Sequence, residues 1–250
     1  MKMETPAKFN HGVAPLRNVM LLNELIHRVE NRDQDLPGLA CFYGPSGYGK
    51  TTAATWNANE TRAYWVEMRE SWTRKTLFRA ILANMGIEPK KTLPEMSSQI
   101  SRELATSGRP LLIDEADYLL KHRMIELIRE IFEDSKGTII LIGEEHLPQN
   151  LAAPHLERTH NRMLDWVAAQ PADLREVQML AQMKCPDLEL DSDVQELLLV
   201  KTAGRARRIA ANLNRIREAA TKLDLSRITM KHAEKIGIFT GEAPGPRRDI

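Results

Sequence analysis

The sequence predicts an α/β fold in which a parallel sheet, covered by helices on both faces, is followed by a small all-helical section. Short apolar runs alternate with amphipathic segments up to about residue 170, a glycine-rich loop follows the first run, and only helical periodicity follows Pro171. We therefore expect a core over residues 1–170 that begins with an irregular arm over 1–14. A helical domain over 171–240 and a flexible Pro/Arg-rich tail over 241–250 would follow.

Five apolar runs predict the strands, and apolar residues at helical spacing predict the helices. The expected strands are Leu39–Tyr43, Ala63–Glu67, Pro110–Asp114, Thr138–Ile142 and Asp165–Ala169. The expected helices before Pro171 cover about 16–29, 51–59, 73–85, 93–106 and 124–132, and those after it cover 173–183, 192–202, 205–223 and a short terminal segment. Thr92-Leu93-Pro94-Glu95 has the pattern of a capping box at a helix start.

The composition is that of an ordinary globular protein, with 42% hydrophobic residues and a formal net charge of +1. No apolar run approaches the ~20 residues of a membrane span, so we expect no membrane partner. Cys41 and Cys185 show no paired spacing typical of metal sites or disulfides, which favours a cytoplasmic location.

Positive charge is concentrated near the end of the chain. Between residues 201 and 236 there are ten Lys/Arg against three Asp/Glu. Such a surplus is typical of a nucleic-acid contact or of a solvated helical face, and the sequence leaves both open.

The glycine-rich loop fits the phosphate-binding pattern G-x-x-x-x-G-K-[ST] at every specified position and lies between a predicted strand and a predicted helix. Its residues are Gly44, Pro45, Ser46, Gly47, Tyr48, Gly49, Lys50 and Thr51, with Thr52 following. Backbone N–H groups and the start of the helix would surround phosphate oxygens. Lys50 would reach the β- and γ-phosphates, and the Thr51 hydroxyl would ligate Mg²⁺. The loop predicts binding of a nucleoside triphosphate.

An acidic pair, Asp114 and Glu115, ends the third predicted strand. Ligands of open α/β sheets bind at the carboxyl ends of the strands. Asp114 is therefore placed to hold Mg²⁺, and Glu115 to act as the general base for water attacking the γ-phosphate. A solvated acidic turn that caps the next helix is the alternative interpretation.

Four segments carry a resemblance to a known family: Gly44–Thr52, Arg109–Asp117, Leu141–Pro148 and Gly204–Ile209. Together they resemble the AAA+ ATPases, and among these the target-selecting B proteins of Mu-like bacteriophages. Regulator ATPases of Tn7-like transposons are relatives of that group, and secretion ATPases of the ExeA type share a similar layout. The resemblance covers nearly the whole chain and implies an AAA+ P-loop core with a helical lid that uses ATP and Mg²⁺.

The resemblance also implies three further site residues. Glu144 occupies the position of a polar sensor of the γ-phosphate, where AAA+ proteins usually carry Asn, Thr, Ser or Gln. A carboxylate there is unfavourable unless it engages Mg²⁺, an arginine or a protonated partner. Arg207 matches the lid arginine that contacts the γ-phosphate, although the arginines around it would also suit solvent or DNA. Arg162, favoured over Arg158, matches the arginine finger that is supplied in trans to a neighbouring subunit.

Duplex DNA is the partner that the resemblance implies, bound without strong sequence preference by subunits that self-associate with ATP into a helical filament. The candidate contacts are basic residues near helix starts after the second and third strands, Arg74, Lys75, Lys121 and Arg123, with His122 beside them. Such side chains suit phosphate contacts, which position a protein without specifying sequence. Ordinary surface charge would give the same pattern.

The function expected from this resemblance is that of a weak ATPase, stimulated by DNA or by oligomerisation, in the cytoplasm of a bacterial host. It would deliver target DNA to a phage transposase, and ATP hydrolysis would drive release. The alternatives are an AAA+ ATPase that remodels a protein partner without DNA, a nucleotide-gated scaffold with little hydrolysis, and a relative of replication initiators or clamp loaders.

Overall fold

The computed structural model describes residues 16–33 and 35–243. The expected arm over 1–14 and most of the expected tail over 241–250 lie outside these ranges. The chain divides into two units, which are described separately below. The core unit comprises residues 18–46 and 50–170, and the helical unit comprises 16–17, 47–49 and 171–243.

The core unit is built on a five-stranded parallel sheet. Its strands are β1 (Leu39–Tyr43), β2 (Tyr64–Glu67), β3 (Leu111–Asp114), β4 (Ile139–Gly143) and β5 (Met163–Ala168). They are arranged in the order β2-β3-β4-β1-β5, and every neighbouring pair is parallel. All five predicted strands are present, and the predicted parallel α/β sheet is confirmed.

Eight helices accompany the sheet in the described part of the chain before Pro171, of which the first precedes β1 and the other seven lie between strands. They are α1 (Arg17–Glu30), α2 (Lys50–Glu60), α3 (Arg74–Met85), α4 (Leu93–Ser107), α5 (Asp117–Lys121), α6 (Ile125–Ser135), α7 (Leu147–Leu151) and α8 (Glu157–His160), with a 3₁₀ turn at Pro154–Leu156. The Thr92 side chain and the Glu95 carboxylate form the predicted capping box at the start of α4. The sequence did not predict α5, α7 and α8, because helices of four or five residues are too short to show a helical period.

The core of this unit lies between the sheet and a layer formed by α3, α4 and α6, which pack side by side. Every residue of β3 and β4 is buried. Apolar side chains from the three helices fill the layer, among them Leu77, Ile81, Ile100, Leu104, Ile128 and Ile131. Because all strands are parallel, the glycine-rich loop after β1 and the acidic pair at the end of β3 lie at the same edge of the sheet.

The helical unit contains α9 (Leu174–Lys184), α10 (Ser192–Thr202), α11 (Ala206–Leu223) and α12 (Met230–Ile236). The section after Pro171 was predicted to contain helices only, and this detail is wrong. Two strands of two residues, β6 (Glu189–Leu190) and β7 (Arg227–Ile228), pair in parallel. Such short strands are stabilised by tertiary pairing and leave no periodic pattern in the sequence. No described helix is long and apolar enough to cross a membrane.

Gly204 lies in the turn between α10 and α11, where the backbone leaves no room for a side chain. Its φ is +64°, and a Cβ at this position would lie 2.8 Å from the Cβ of Pro171 and 2.9 Å from the carbonyl oxygen of Ala172. The Gly204 carbonyl accepts a hydrogen bond of 2.9 Å from the Ala172 N–H. Glycine at this position therefore allows the start of the unit to pack against the turn.

Gly204→Ala should destabilise the helical unit more than Gly237→Ala. Both glycines have positive φ, which costs a residue with a Cβ about 1–2 kcal/mol. Only the Cβ at position 204 meets other atoms, since nothing lies within 4 Å of a Cβ at Gly237. The clash should add roughly 1–3 kcal/mol to the loss in unfolding free energy, measured by urea denaturation followed by circular dichroism. Equal losses in the two variants would contradict this packing.

Candidate active site

The glycine-rich loop leaves β1 after Tyr43 and enters α2 at Lys50. A Cβ at Gly44 would lie 3.0 Å from the Cβ of Ala169, so the backbone passes close to the chain that follows β5. Gly47 and Gly49 have φ of +88° and +86°, which residues with a side chain rarely adopt. The loop conformation thus requires glycine at both positions where the phosphate-binding pattern specifies it, 44 and 49, and also at 47.

Lys50, the first residue of α2, is buried, with 8% of its surface exposed. Its Nζ donates hydrogen bonds to the carbonyl oxygens of Gly44 at 2.6 Å and Pro45 at 3.1 Å. The carboxylate of Glu144 lies 3.7 Å from the same nitrogen. The ammonium group is therefore held inside the curve of the loop, where phosphate oxygens would bind.

Asp114, at the end of β3, is 1% exposed and lies close to the Thr51 side chain of α2. Burial raises the pKa of its carboxyl group, and the Thr51 hydroxyl, the largest opposing influence, lowers that pKa in part. Oδ1 accepts the Glu115 N–H at 2.9 Å. Oδ2 is buried and has no hydrogen-bond partner among the described residues.

This buried carboxylate oxygen beside a threonine hydroxyl suits a hard cation. Mg²⁺ binds proteins through one or two oxygen ligands and takes the remainder from water and phosphate. Within residues 16–33 and 35–243 no group of three or more His, Cys, Asp and Glu side chains could hold a metal ion. A Mg²⁺ at Asp114 and Thr51 would take its remaining ligands from water and phosphate oxygens.

Glu115 follows in a left-handed backbone conformation, with φ of +54°. Its side chain is half-buried. Burial raises the pKa of its carboxyl group, the charges of Asp114 and Glu144 raise it further, and the Lys50 ammonium lowers it in part. A carboxylate with a raised pKa accepts a proton from water more readily than an ordinary glutamate does.

The backbone at Glu144 is held by Asp117, the first residue of α5. The Glu144 N–H donates to Asp117 Oδ2 at 2.8 Å. A Cβ at Gly143 would lie 2.4 Å from the same oxygen, so only glycine allows this approach. Asp117 lies three residues after Asp114, at the same edge of the sheet, and its role was not predicted from the sequence.

Within the helical unit, Arg207 lies in the first turn of α11 with an exposed side chain. Its backbone N–H donates to the Gly47 carbonyl at 3.1 Å, and Gly47 belongs to this unit. The Arg205 guanidinium lies 5.9 Å from the centre of the Tyr48 ring. The loop tip is thus contacted by the Arg207 backbone and the Arg205 side chain, while the Arg207 side chain is exposed.

Arg162 is not brought together with the other candidate residues of the core. It directly precedes β5, and Met163 is in register with Leu39, the first residue of β1. The glycine-rich loop follows the opposite end of β1, about 15 Å away at ~3.3 Å per residue. The Arg162 guanidinium is half-exposed and forms an ion pair of 2.9 Å with Glu133. Arg158, the alternative, is exposed on α8.

The candidate DNA contacts lie in the segments that follow the neighbouring strands β2 and β3. Arg74 and Lys75 begin α3 and are exposed. Lys121 and Arg123 are exposed as well, but neither lies in the first turn of a helix. Lys121 is the last residue of α5, and Arg123 lies in the link to α6. Lys121 also forms an ion pair with Glu70, which reduces its capacity to bind phosphate.

Comparisons with known proteins agree with this architecture. Residues 32–151 match the family model described as an AAA domain. The matched segment contains the glycine-rich loop, the acidic pair and Glu144. No curated protein matches the sequence.

Solved structures with the same fold include three proteins from two organisms. The ORC2 protein of Aeropyrum pernix (ADPNP-ADP complexes) aligns with a TM-score of 0.70 and 14% identity, over 92% of this chain and 69% of that chain. The Aeropyrum pernix ORC1 protein in complex with DNA aligns at 0.64 and 20%, over 90% and 65%. The Thermotoga maritima RuvB Holliday junction branch migration motor aligns at 0.58 and 19%, over 88% and 67%. The predicted AAA+ P-loop fold with a helical C-terminal section is confirmed.

Asp114→Asn should raise the free energy of unfolding at pH 7 by roughly 1 kcal/mol, because it removes a buried charge and keeps an oxygen that can accept the Glu115 N–H. The folded-state pKa of Asp114 lies above its unfolded value. The wild-type protein therefore gains stability as the pH falls through that raised pKa, and the advantage of the variant should shrink. Denaturant unfolding in EDTA at several pH values would measure this.

Asp134→Asn is the matched control, since Asp134 is exposed on α6. Its effect should stay within about 0.5 kcal/mol. A loss of stability in Asp114→Asn at neutral pH would show that the Asp114 charge is compensated by interactions other than those described here.

Proposed function

We propose that this chain is an ATP-hydrolysing protein that assembles on duplex DNA. The observation that carries the proposal is the placement of Lys50, Thr51, Asp114 and Glu115 at one edge of the sheet. A lysine inside a glycine-rich loop, a buried orphaned carboxylate beside a hydroxyl, and a second carboxylate with a raised pKa are the groups that phosphoryl transfer to water requires.

Each of these residues has a distinct task in the proposed reaction. Lys50 and the loop N–H groups bind the β- and γ-phosphates. Thr51 and Asp114 would hold Mg²⁺, which would neutralise negative charge on the phosphates. Glu115 accepts a proton from the water that attacks the γ-phosphate.

Arg162 is proposed to complete the site of a neighbouring subunit. Its place at the amino end of β5 puts it out of reach of its own glycine-rich loop, so it can serve only the loop of another copy. An arginine supplied in trans stabilises the transition-state charge and makes turnover depend on assembly. The Arg207 side chain is proposed to contact the γ-phosphate from the helical unit.

The proposed DNA-binding surface consists of Arg74, Lys75, Lys121 and Arg123. The first two are exposed at the start of α3, and the segments that carry the two pairs follow adjacent strands. The Aeropyrum pernix ORC1 protein, which has the same fold, is described as a complex with DNA. We extend DNA binding to this chain because its own basic residues are grouped at this edge.

The narrower proposal is target selection for a phage transposase in a bacterial host. Its support is the resemblance of Leu141–Pro148 and Gly204–Ile209 to the corresponding segments of Mu-like B proteins. In this proposal subunits form a filament on target DNA, present that DNA to the transposase, and leave after hydrolysis. A replication-initiator role is the second candidate, and the likeness to the ORC structures favours it.

ATP should increase the affinity of the chain for duplex DNA of random sequence. Binding should weaken at least ~10-fold between about 50 and 200 mM salt, because phosphate contacts release counterions. Lys50→Ala should abolish the increase caused by ATP. Arg74→Ala with Lys75→Ala should weaken binding, while Arg102→Ala, an exposed arginine on α4, should leave it unchanged. Filter binding measures all four proteins.

Absence of ATP-dependent DNA binding would favour the protein-remodelling alternative. Electron microscopy with DNA and a slowly hydrolysed ATP analogue separates the two DNA-related candidates. Continuous helical filaments on random DNA would support target selection, whereas preferential binding at particular sequences without filaments would support an initiator.

Mixing two inactive variants should restore ATP hydrolysis if Arg162 acts in trans. Arg162→Ala retains an intact nucleotide loop, and Lys50→Ala retains the arginine, so an assembly of both contains complete sites. Each variant alone should have a turnover lowered at least ~100-fold, and an equimolar mixture should recover about a quarter of wild-type activity. Arg158→Ala serves as the control and should keep wild-type turnover. A mixture as inactive as its components would exclude Arg162 as the shared residue.

A further inference from the structure

Glu144 places a carboxylate beside the lysine that the proposed function assigns to phosphate binding. The Glu144 carboxylate lies 3.7 Å from Lys50 Nζ. Lys50 has three N–H donors, and two of them engage the Gly44 and Pro45 carbonyls. Glu144 thus forms an ion pair with an ammonium group whose hydrogen bonds go to neutral carbonyls, and the charges of Asp114 and Glu115 also act on that ammonium group.

The position of this carboxylate is determined by the backbone on both sides. Asp117 accepts the Glu144 N–H, and the close approach of Asp117 depends on Gly143. The Leu147 N–H donates to the Glu144 carbonyl at 3.1 Å, at the start of α7. The backbone N–H and C=O of Glu144 are therefore both hydrogen-bonded. The side chain itself is 46% exposed, so it can move without rearranging the core.

Phosphate oxygens that bind Lys50 would have to take the place of this carboxylate. Lys50 of a phosphate loop contacts the β- and γ-phosphates. ADP would bring the β-phosphate to the ammonium group, whereas ATP would add the further negative charge of the γ-phosphate close to Glu144. Like charges at short range cost binding free energy, and this cost is larger for the triphosphate.

We propose that Glu144 is a specificity-determining residue that lowers the affinity of the site for ATP relative to ADP. It does so by pairing with Lys50 and by repelling the γ-phosphate. Binding of ATP then depends on compensating positive charge, which Mg²⁺ and residues of other subunits supply. The inference rests on the proposed nucleotide site. It adds an explanation for the carboxylate of Glu144 beside the lysine that is proposed to bind phosphate.

Calorimetric titration of the full chain with ADP and with the analogue ADPNP, both with Mg²⁺, tests the proposal. Glu144→Gln should tighten ADPNP binding about tenfold, equivalent to 1.4 kcal/mol, and ADP binding by about threefold or less. Glu144→Asn should behave in the same way. Glu145→Gln is the matched control, because Glu145 is the adjacent residue, is exposed, and has no ion pair among the described residues. It should leave both affinities unchanged within about twofold.

The outcomes separate this inference from the proposed function. If the wild-type chain binds both nucleotides and Glu144→Gln resembles Glu145→Gln, the inference is wrong and the nucleotide site stands. Equal tightening for ADP and ADPNP would also overturn it, since loss of the Lys50 pair alone would act on both. If neither nucleotide binds to the wild type or to the Glu144 variants, the proposed function and this inference fail together. Thermal unfolding of each variant establishes that it is folded.

Discussion

The site depends on two opposite charges that are buried at one edge of the sheet. Lys50 and Asp114 are 8% and 1% exposed. Burial of an ion costs several kcal/mol unless partners compensate. Lys50 has such partners, namely two loop carbonyls and Glu144. Asp114 is compensated less well, because one of its oxygens has no hydrogen-bond partner among the described residues. The fold therefore holds the Asp114 carboxylate, next to fully buried strands, where a bound cation would stabilise it.

The same constraint accounts for the properties of the carboxylates nearby. Burial raises the pKa of Glu115, the charges of Asp114, Glu144 and Asp117 raise it further, and the Lys50 ammonium lowers it in part. A polyphosphate would add further negative charge to this edge. Its binding is favourable only if loop N–H groups, Lys50 and a divalent cation together outweigh that repulsion. In the proposed function, nucleotide affinity at this site would therefore be a small difference between large electrostatic contributions, and a single charge such as that of Glu144 would alter it.

The strands and long helices could be predicted from the sequence because the spacing of apolar residues reflects which side of each element is buried. The loop, Asp114 and Glu115 could be located because local sequence determines their conformation and the sheet topology determines their edge. The role of Asp117 could not, since it depends on a contact with Gly143 and Glu144 from another strand. The Glu144–Lys50 pair is likewise a tertiary contact between residues 94 positions apart. Short elements such as α7, α8 and the two-residue strands carry too few residues to show a period.

The topology of the sheet also determines which charged residues of one chain can lie near its own glycine-rich loop. The carboxyl ends of β1 and β3 carry the loop and the acidic pair, whereas Arg162 lies at the amino end of β5. A strand is too rigid to bring these ends together, so the role proposed for Arg162 requires the nucleotide site of another copy. Its ion pair with Glu133 holds the guanidinium on the surface of the core unit before any neighbour is present. Under the proposed function, separation of the arginine from the acidic edge would make assembly a condition for catalysis, and DNA that gathers subunits would control turnover.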